Sequence, residues 1–230
     1  MRCHQSPSGF AGIDLWYGRL EDLRPECARY AAVLSPDERR RAARYIMPSK
    51  RREFVLARGW LRHVLSSYTG IPPGRLRFRY GPSGKPSLVQ QAGHAAKRLE
   101  FNISHSGSHL LLAVTRGRRV GADLETIRPI QGIWWIADRY FSEAQQKFLR
   151  DTDGVEALRL FFREWTMLEA EGKCHGSGLA GAGRAGRKRS GGYRYRWEPE
   201  PGRLAAICTD GAPCRLRRRN PFGGRGRGRC

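Results

Sequence analysis

The sequence predicts a mixed α+β fold, with helices and strands following one another without strict alternation. Three observations carry that expectation. One window, around residues 49–68, repeats apolar residues at three- and four-residue spacing, the mark of an amphipathic helix, and residues 155–173 read as a second long helix. Several short windows alternate apolar and polar residues or run apolar for a few residues, as strands do. Gly and Pro clusters punctuate the windows, and the order of helices and strands does not fit a doubly wound parallel sheet.

Taken in order, Gly12 to Tyr17 reads as an opening strand. Ser35-Pro36-Asp37-Glu38 is a capping box with proline at the first helical position, so a helix starts there and runs to about Tyr45. Its face of Arg39, Arg40, Arg41 and Arg44 is strongly basic. Ser49 is expected to cap the next helix, whose stripe is Phe54, Ala57, Leu61, Val64, Leu65 and Tyr68, and Gly70 with Pro72-Pro73 ends it. Leu76, Phe78 and Tyr80 alternate with Arg77 and Arg79 as a half-exposed strand, followed by a turn at Gly81 to Gly84. Phe101 to Ile103 reads as a strand ending at Ser104-His105-Ser106-Gly107. His109 to Thr115 and Arg119 to Glu125 form two more strands joined around Gly117. Ser142 caps a helix to about Arg150, and Val155 to Lys173 is a long helix. Beyond Leu179 the text is rich in Gly, Ala and Arg, and residues 180–230 are expected to be poorly ordered. Within them, Tyr193 to Ile207 can form a strand pair with Tyr195 and Trp197 facing Leu204 and Ala206.

With 40% hydrophobic residues among 230, the chain can bury a core, and no run approaches the roughly 20 apolar residues of a membrane span. The N-terminal residues lack the apolar core of a secretory signal, so the expected location is cytoplasmic. Six scattered cysteines are then expected as free thiols. Cys174, His175, Cys208 and Cys214 would have to assemble a zinc site at spacings that no common zinc motif uses. The net charge is +22, and residues 180–230 hold fourteen Arg or Lys against three acids, a net of +11. Such a field attracts polyanions of any kind, so nucleic acid is a candidate partner only through the basic tail.

Four segments carry chemistry. Asp123 and Glu125 lie two apart on a strand and project from one face, where two carboxylates repel unless a cation stands between them. Hard carboxylate oxygens suit Mg2+. Trp165, Glu169 and Lys173 share one face of the long helix, and Gly172 is an unusual mid-helix residue there. Ser104, His105 and Ser106 present hydroxyls and an imidazole after a strand, and Gly84-Lys85-Pro86 offers a cation on a rigid turn. Taken singly, each has an ordinary reading: a solvated strand edge, a helical ion pair, a polar turn.

Together, in this order, the four segments resemble the Sfp-type 4′-phosphopantetheinyl transferases. The resemblance rests on Gly84-Lys85-Pro86, Phe101 to Gly107, Val120-Gly121-Ala122-Asp123-Leu124-Glu125, and Phe161 to Leu179 with Glu169 and Lys173. It covers about residues 10–179. It implies two similar α+β halves related by pseudo-twofold symmetry, residues 1–118 and 119–230, with coenzyme A in the cleft between them. It implies transfer of phosphopantetheine from coenzyme A to a serine of an apo acyl or peptidyl carrier protein, with release of 3′,5′-ADP, by a monomer. The metal ligands would be Asp123, Glu125 and Glu169 for Mg2+, and the catalytic residues Glu169, Lys173 and His105. Coenzyme A contacts would come from Arg51, Arg58, Arg62, Lys85, Ser104, His105 and Lys173. Three features depart from the family's pattern: Leu168 stands where a lysine is usual, Gln145 where a glutamate often is, and the text beyond Leu179 does not resemble strands completing the second half. These departures leave a catalytically impaired member, binding coenzyme A or carrier protein, as the alternative, with a basic nucleic-acid-binding protein behind it.

Overall fold

The computed structural model describes residues 12–89, 98–179 and 192–219. The architecture is α+β and stacks four layers: a helix, a sheet, a second sheet and a second helix. The first sheet has the order β4-β5-β1-β9, from β4 (Leu99–Ser106), β5 (His109–Arg116), β1 (Gly12–Arg19) and β9 (Arg215–Arg219). The second has the order β6-β8-β7, from β6 (Val120–Thr126), β8 (Arg203–Asp210) and β7 (Gly192–Trp197). A small hairpin pairs β2 (Phe78–Tyr80) with β3 (Pro86–Leu88).

Side-chain alternation explains the stacking. On β5, Leu110, Leu112 and Val114 pack against α3 (Pro48–Thr69), through Leu56, Trp60, Leu61 and Leu65. The intervening Leu111 and Ala113 face the other way, with Ile13 and Leu15 of β1, and meet Val120, Ala122 and Leu124 of β6 and Ala205 and Ile207 of β8. The opposite face of β8 offers Ala206 and Cys208 to Met167, Ala170 and Cys174 of α6 (Gly154–His175). A strand buried on both faces reads as a continuous apolar run, as Leu110 to Val114 does.

The remaining helices are α1 (Cys27–Ala32), α2 (Pro36–Ala43), α4 (Ile133–Tyr140) and α5 (Glu143–Arg150). The capping box at Ser35 and Glu38 is present, and Ser142 caps α5 in the same way with Gln145. α3 starts two residues earlier than expected, with Met47 rather than Ser49 as its cap residue and Pro48 in the first turn, and it ends on Gly70 at φ +72°. Neither α1 nor α4 follows from periodicity, because each is too short to show a stripe.

The expectation for residues 180–230 needs correction. Residues 180–191 and 220–230 lie outside the described residues, but β7, β8 and β9 between them are ordered strands, and β8 pairs with β6 along its whole length from Val120–Thr209 to Thr126–Arg203. The tail therefore supplies the strands that complete the second sheet. Tyr195 and Trp197 pair with Ile207 and Ala205, not with Leu204 and Ala206. A one-residue slip would turn both rings to the other face; in the observed register they stack on each other and join the apolar layer between the sheets. β9 then crosses back to lie parallel to β1, where Arg217 and Arg219 pair with the buried Asp14. The chain after residue 119 thus contributes to the first sheet as well. No helix among the described residues is long and apolar enough to cross a membrane.

Candidate active site: carboxylates between two sheets and a helix

Val120, Ala122 and Leu124 point into the layer between the sheets, so Gly121, Asp123 and Glu125 point the other way along β6, toward α6. Gly121 has the tightest contact: a Cβ there would lie 1.9 Å from the Ala170 carbonyl oxygen and 2.3 Å from the Cys174 nitrogen. The helix backbone rests directly on the strand at this point. That contact sets Glu169 and Lys173, on the adjoining face of α6, beside Asp123.

Asp123 is 3% exposed. Its Oδ1 accepts hydrogen bonds from Ser104 Oγ at 2.9 Å and from Lys173 Nζ at 2.5 Å, while Oδ2 is buried with no partner. Lys173 also lies 3.2 Å from Ser104 Oγ and 3.9 Å from Glu169. Glu125 accepts from Ser106 Oγ at 3.1 Å, and that hydroxyl in turn accepts the Thr126 N–H. One residue pair further back, Asn102 Oδ1 accepts the Ala122 N–H at 2.8 Å. Asn102, Ser104 and Ser106 are thus a polar row on one face of β4 that stitches the edge of the first sheet to β6. Sequence reasoning singled out Ser104 but missed the stitching role of Asn102 and Ser106. The signal was there, in their alternation with Phe101 and Ile103, which face α3.

The electrostatics favour a cation. Burial pushes the Asp123 carboxyl above its ordinary pKa, against the pull of Lys173 and Ser104. Burial also raises Glu125, and the Asp123 charge adds to it. Glu169 is raised by burial, with Lys173 opposing and Asp123 adding. One ammonium therefore faces three strained acids. Among the described residues the three carboxylates do not have ligand oxygens all within 4.8 Å of one another. Lys173 is held between Asp123 and Glu169. The orphaned Asp123 oxygen and the hard, oxygen-only donor set fit Mg2+, which takes few protein carboxylates and completes its shell with water and phosphate.

On the α3 face of the first sheet a cleft of about 270 Å³ is lined by Arg41, Tyr45, Phe54, Arg58, Tyr80 and His105. His105 stands on the opposite face of β4 from Ser104, so strand parity separates these neighbours: His105 faces the cleft and Ser104 faces Asp123. Its imidazole is open at the cleft rim, yet the surrounding protein holds its pKa below the usual value, chiefly by desolvation. Arg58 lies in the cleft wall, donates to Tyr80 Oη at 2.5 Å and pairs with Glu38 at 3.1 Å. Arg51 is exposed at the N-terminal end of α3. Lys85 donates to the Val120 carbonyl at 2.8 Å and is half-buried.

Arg62 is a correction. It is 1% exposed, its Nε is 2.7 Å from Glu38, and its Nη1 donates to the carbonyls of Pro73 and Leu76. With three of its five N–H groups spent on internal acceptors and its side chain sealed from solvent, this guanidinium is out of reach of a nucleotide; it belongs to the fold. Breaking this pair should be costly. Glu38→Gln is expected to lower stability by about 3 kcal/mol, because Arg62 would remain buried without a counter-charge; chemical unfolding at neutral pH measures it. Arg41 was overlooked as a cleft residue, and its place in the basic run of α2 was the available signal. Leu168 packs with the apolar cluster of Phe141, Phe161 and Phe162, and Gln145 donates to Glu164 at 2.5 Å. Both departures from the family pattern are therefore accommodated in the packing of α4, α5 and α6.

Two family models match the chain: "4′-phosphopantetheinyl transferase, N-terminal" over residues 21–116 and "4′-phosphopantetheinyl transferase superfamily" over residues 119–188. The chain is 38% identical over 168 residues to 4′-phosphopantetheinyl transferase HetI of Nostoc sp., covering 73% of this chain and 70% of that one. It is 33% identical over 158 residues to the putative 4′-phosphopantetheinyl transferase slr0495 of Synechocystis sp., covering 69% and 63%. It is 32% identical over 140 residues to 4′-phosphopantetheinyl transferase AcpT of Escherichia coli K12, covering 61% and 64%. The match thus spans less than two thirds of the latter two proteins.

Proposed function

The chain belongs to the 4′-phosphopantetheinyl transferase superfamily, and from that premise we propose that it moves phosphopantetheine from coenzyme A to a serine of an apo carrier protein, using Mg2+ and releasing 3′,5′-ADP. The observation that supports this most directly is Asp123: a buried carboxylate with one oxygen shared by Ser104 and Lys173 and the other unpartnered. Asp123, Glu125 and Glu169 would hold the metal, which supplies neutralisation of the diphosphate charge. Lys173, now paired to Asp123, is placed to exchange that partner for a phosphate oxygen of coenzyme A and to stabilise the leaving ADP. Glu169, with its raised pKa, is the group that accepts the serine proton. Ser104 and Ser106 hold the first two carboxylates in orientation from the facing sheet. Arg58 in the wall of the α3 cleft and Arg51 at the exposed N-terminal end of α3 are assigned to the nucleotide, His105 at the cleft to the coenzyme A phosphates, and Lys85 to the 3′-phosphate end. The basic face of α2 suits an acidic carrier protein.

Incubating the purified chain with an apo carrier protein, Mg2+ and coenzyme A tests the reading by mass spectrometry. A gain of one phosphopantetheinyl group on the carrier serine is expected. No gain, with coenzyme A still bound, would reduce the chain to a binding protein.

Two further outcomes follow from the site. Ser106→Ala should leave the fold intact and raise the Mg2+ concentration for half-maximal rate by roughly ten- to a hundredfold, as loss of an orienting partner of a metal ligand does; a magnesium titration of initial rates measures it. The pH dependence has a definite sign. Three acids whose folded pKa values are raised bind more protons folded than unfolded, so metal-free stability falls as pH rises from about 4, the ordinary carboxylate value, through the raised values. Mg2+ removes that penalty. Added Mg2+ should therefore raise the thermal midpoint at neutral pH, and the gain should shrink as pH falls toward the ordinary value. A gain that grows in acid would contradict the assignment.

A further inference from the structure

Behind the carboxylates, where α6 packs on the second sheet at β8, lies a second cluster that the transfer reaction does not use. Cys174, in the last turn of α6, is 1% exposed, and Cys208, on β8, is 2% exposed. Their side chains pack against each other, with the two sulfurs within 4.8 Å. His175 follows Cys174 at the exposed end of the helix. One ligand atom from each of the three lies within 4.8 Å of the other two. Strand register brings this about: Cys208 sits opposite Gly121, the glycine on which the Cys174 backbone rests. Cys214, four residues beyond the end of β8, lies against the layer between the sheets, away from α6.

We propose that Cys174, Cys208 and His175 form a site for a soft divalent metal of the zinc class, pinning the C-terminal end of α6 to β8. Two thiolates and an imidazole are a characteristic zinc donor set, with the fourth position left to solvent at the exposed His175 side. Zinc–sulfur and zinc–nitrogen bonds of about 2.3 and 2.1 Å put tetrahedral donors roughly 3.5 Å apart, so closing from separations of at most 4.8 Å takes a movement of no more than about 1 Å. Binding would displace a proton from each thiol to solvent, and no oxidant or reductant is involved. The neighbouring Cys208 thiol and, more weakly, the Lys85 charge draw the Cys174 thiol toward thiolate against the effect of burial. The donors are soft where those of the carboxylate site are hard, so the two sites select different metals. The clamp would tie down the helix end that carries Lys173.

The full-length chain, reduced and stripped of metal, is titrated with Co2+ and then Zn2+. A thiolate-to-cobalt charge-transfer band at one equivalent, bleached by zinc, is expected. His175→Ala, at an exposed position, should keep the fold and weaken cobalt affinity at least about tenfold. Cys208→Ser should abolish the band, while Cys214→Ser should leave it unchanged. Absence of the band in the wild-type chain, or its persistence in Cys208→Ser, would overturn the site. A Cys174–Cys208 disulfide that forms in preference to metal binding under reducing conditions would overturn it too. None of these readouts depends on transferase activity, so failure here is distinguishable from failure of the transfer reading.

Discussion

Asp123→Asn is expected to lower kcat/KM for carrier modification by at least about a thousandfold, while the thermal midpoint of the metal-free protein stays level or rises. The two halves of that expectation come from the same geometry. Asp123 is buried, its Oδ1 is shared by Ser104 and Lys173, and its Oδ2 has no partner in the protein. A carboxylate whose own environment raises its pKa costs the fold stability, so neutralising it removes a penalty rather than a support. Asparagine keeps the shape and one acceptor, so Ser104 retains its bond. What disappears is the charge. Metal affinity and the anchor for Lys173 go with it, and Lys173 is left with Glu169 at 3.9 Å. Calorimetry of Mg2+ binding, thermal unfolding without metal and the mass assay together check the outcome. A variant that is inactive because it unfolds would point to a structural aspartate, and one that still transfers would remove Asp123 from the mechanism.

Much of this arrangement was legible in the sequence because it depends on local periodicity. Asp123 and Glu125 share a face because a strand repeats every two residues; Glu169 and Lys173 share one because a helix places i and i+4 together. The capping box at Ser35, the cap at Ser142, the α+β class and the two long helices follow from the same local rules. What was not legible depends on which strand lies beside which. Nothing in the text near Arg203 announces that β8 pairs with β6, and a Gly/Arg-rich neighbourhood masks the short apolar run Leu204 to Cys208. Arg62 misled for a related reason. An arginine on a basic helix looks like a phosphate ligand until the partner, Glu38, arrives from another helix. The Cys174–Cys208 contact is likewise invisible at a spacing of 34 residues until the register is known.

Gly121→Ala is expected to destabilise the protein by about 4 kcal/mol or more, the range reserved for a named steric failure in a core. Many mid-strand glycines tolerate alanine, and alanine should even stabilise by trimming the unfolded ensemble. Gly121 differs in what surrounds it. A methyl carbon there would stand 1.9 Å from the Ala170 carbonyl oxygen and 2.3 Å from the Cys174 nitrogen, both backbone atoms of α6. A clashing side chain can rotate away, but a helix backbone packed on two strands cannot. Relief requires α6 to lift from β6 by more than an ångström, which opens the contacts of Met167, Ala170 and Cys174 with Ala206 and Cys208. It also carries Glu169 and Lys173 away from Asp123. Stability and transfer should therefore fall together in Gly121→Ala, whereas Asp123→Asn separates them. Gly172, the odd residue within α6, makes a milder version of the same case, since its Cβ would meet the Gly178 carbonyl oxygen at 2.7 Å, just past the end of the helix. Chemical unfolding of both glycine variants beside wild type reads the difference. If Gly121→Ala unfolds within about 1 kcal/mol of wild type, α6 does not rest on β6 as described, and the placement of Lys173 beside Asp123 loses its cause.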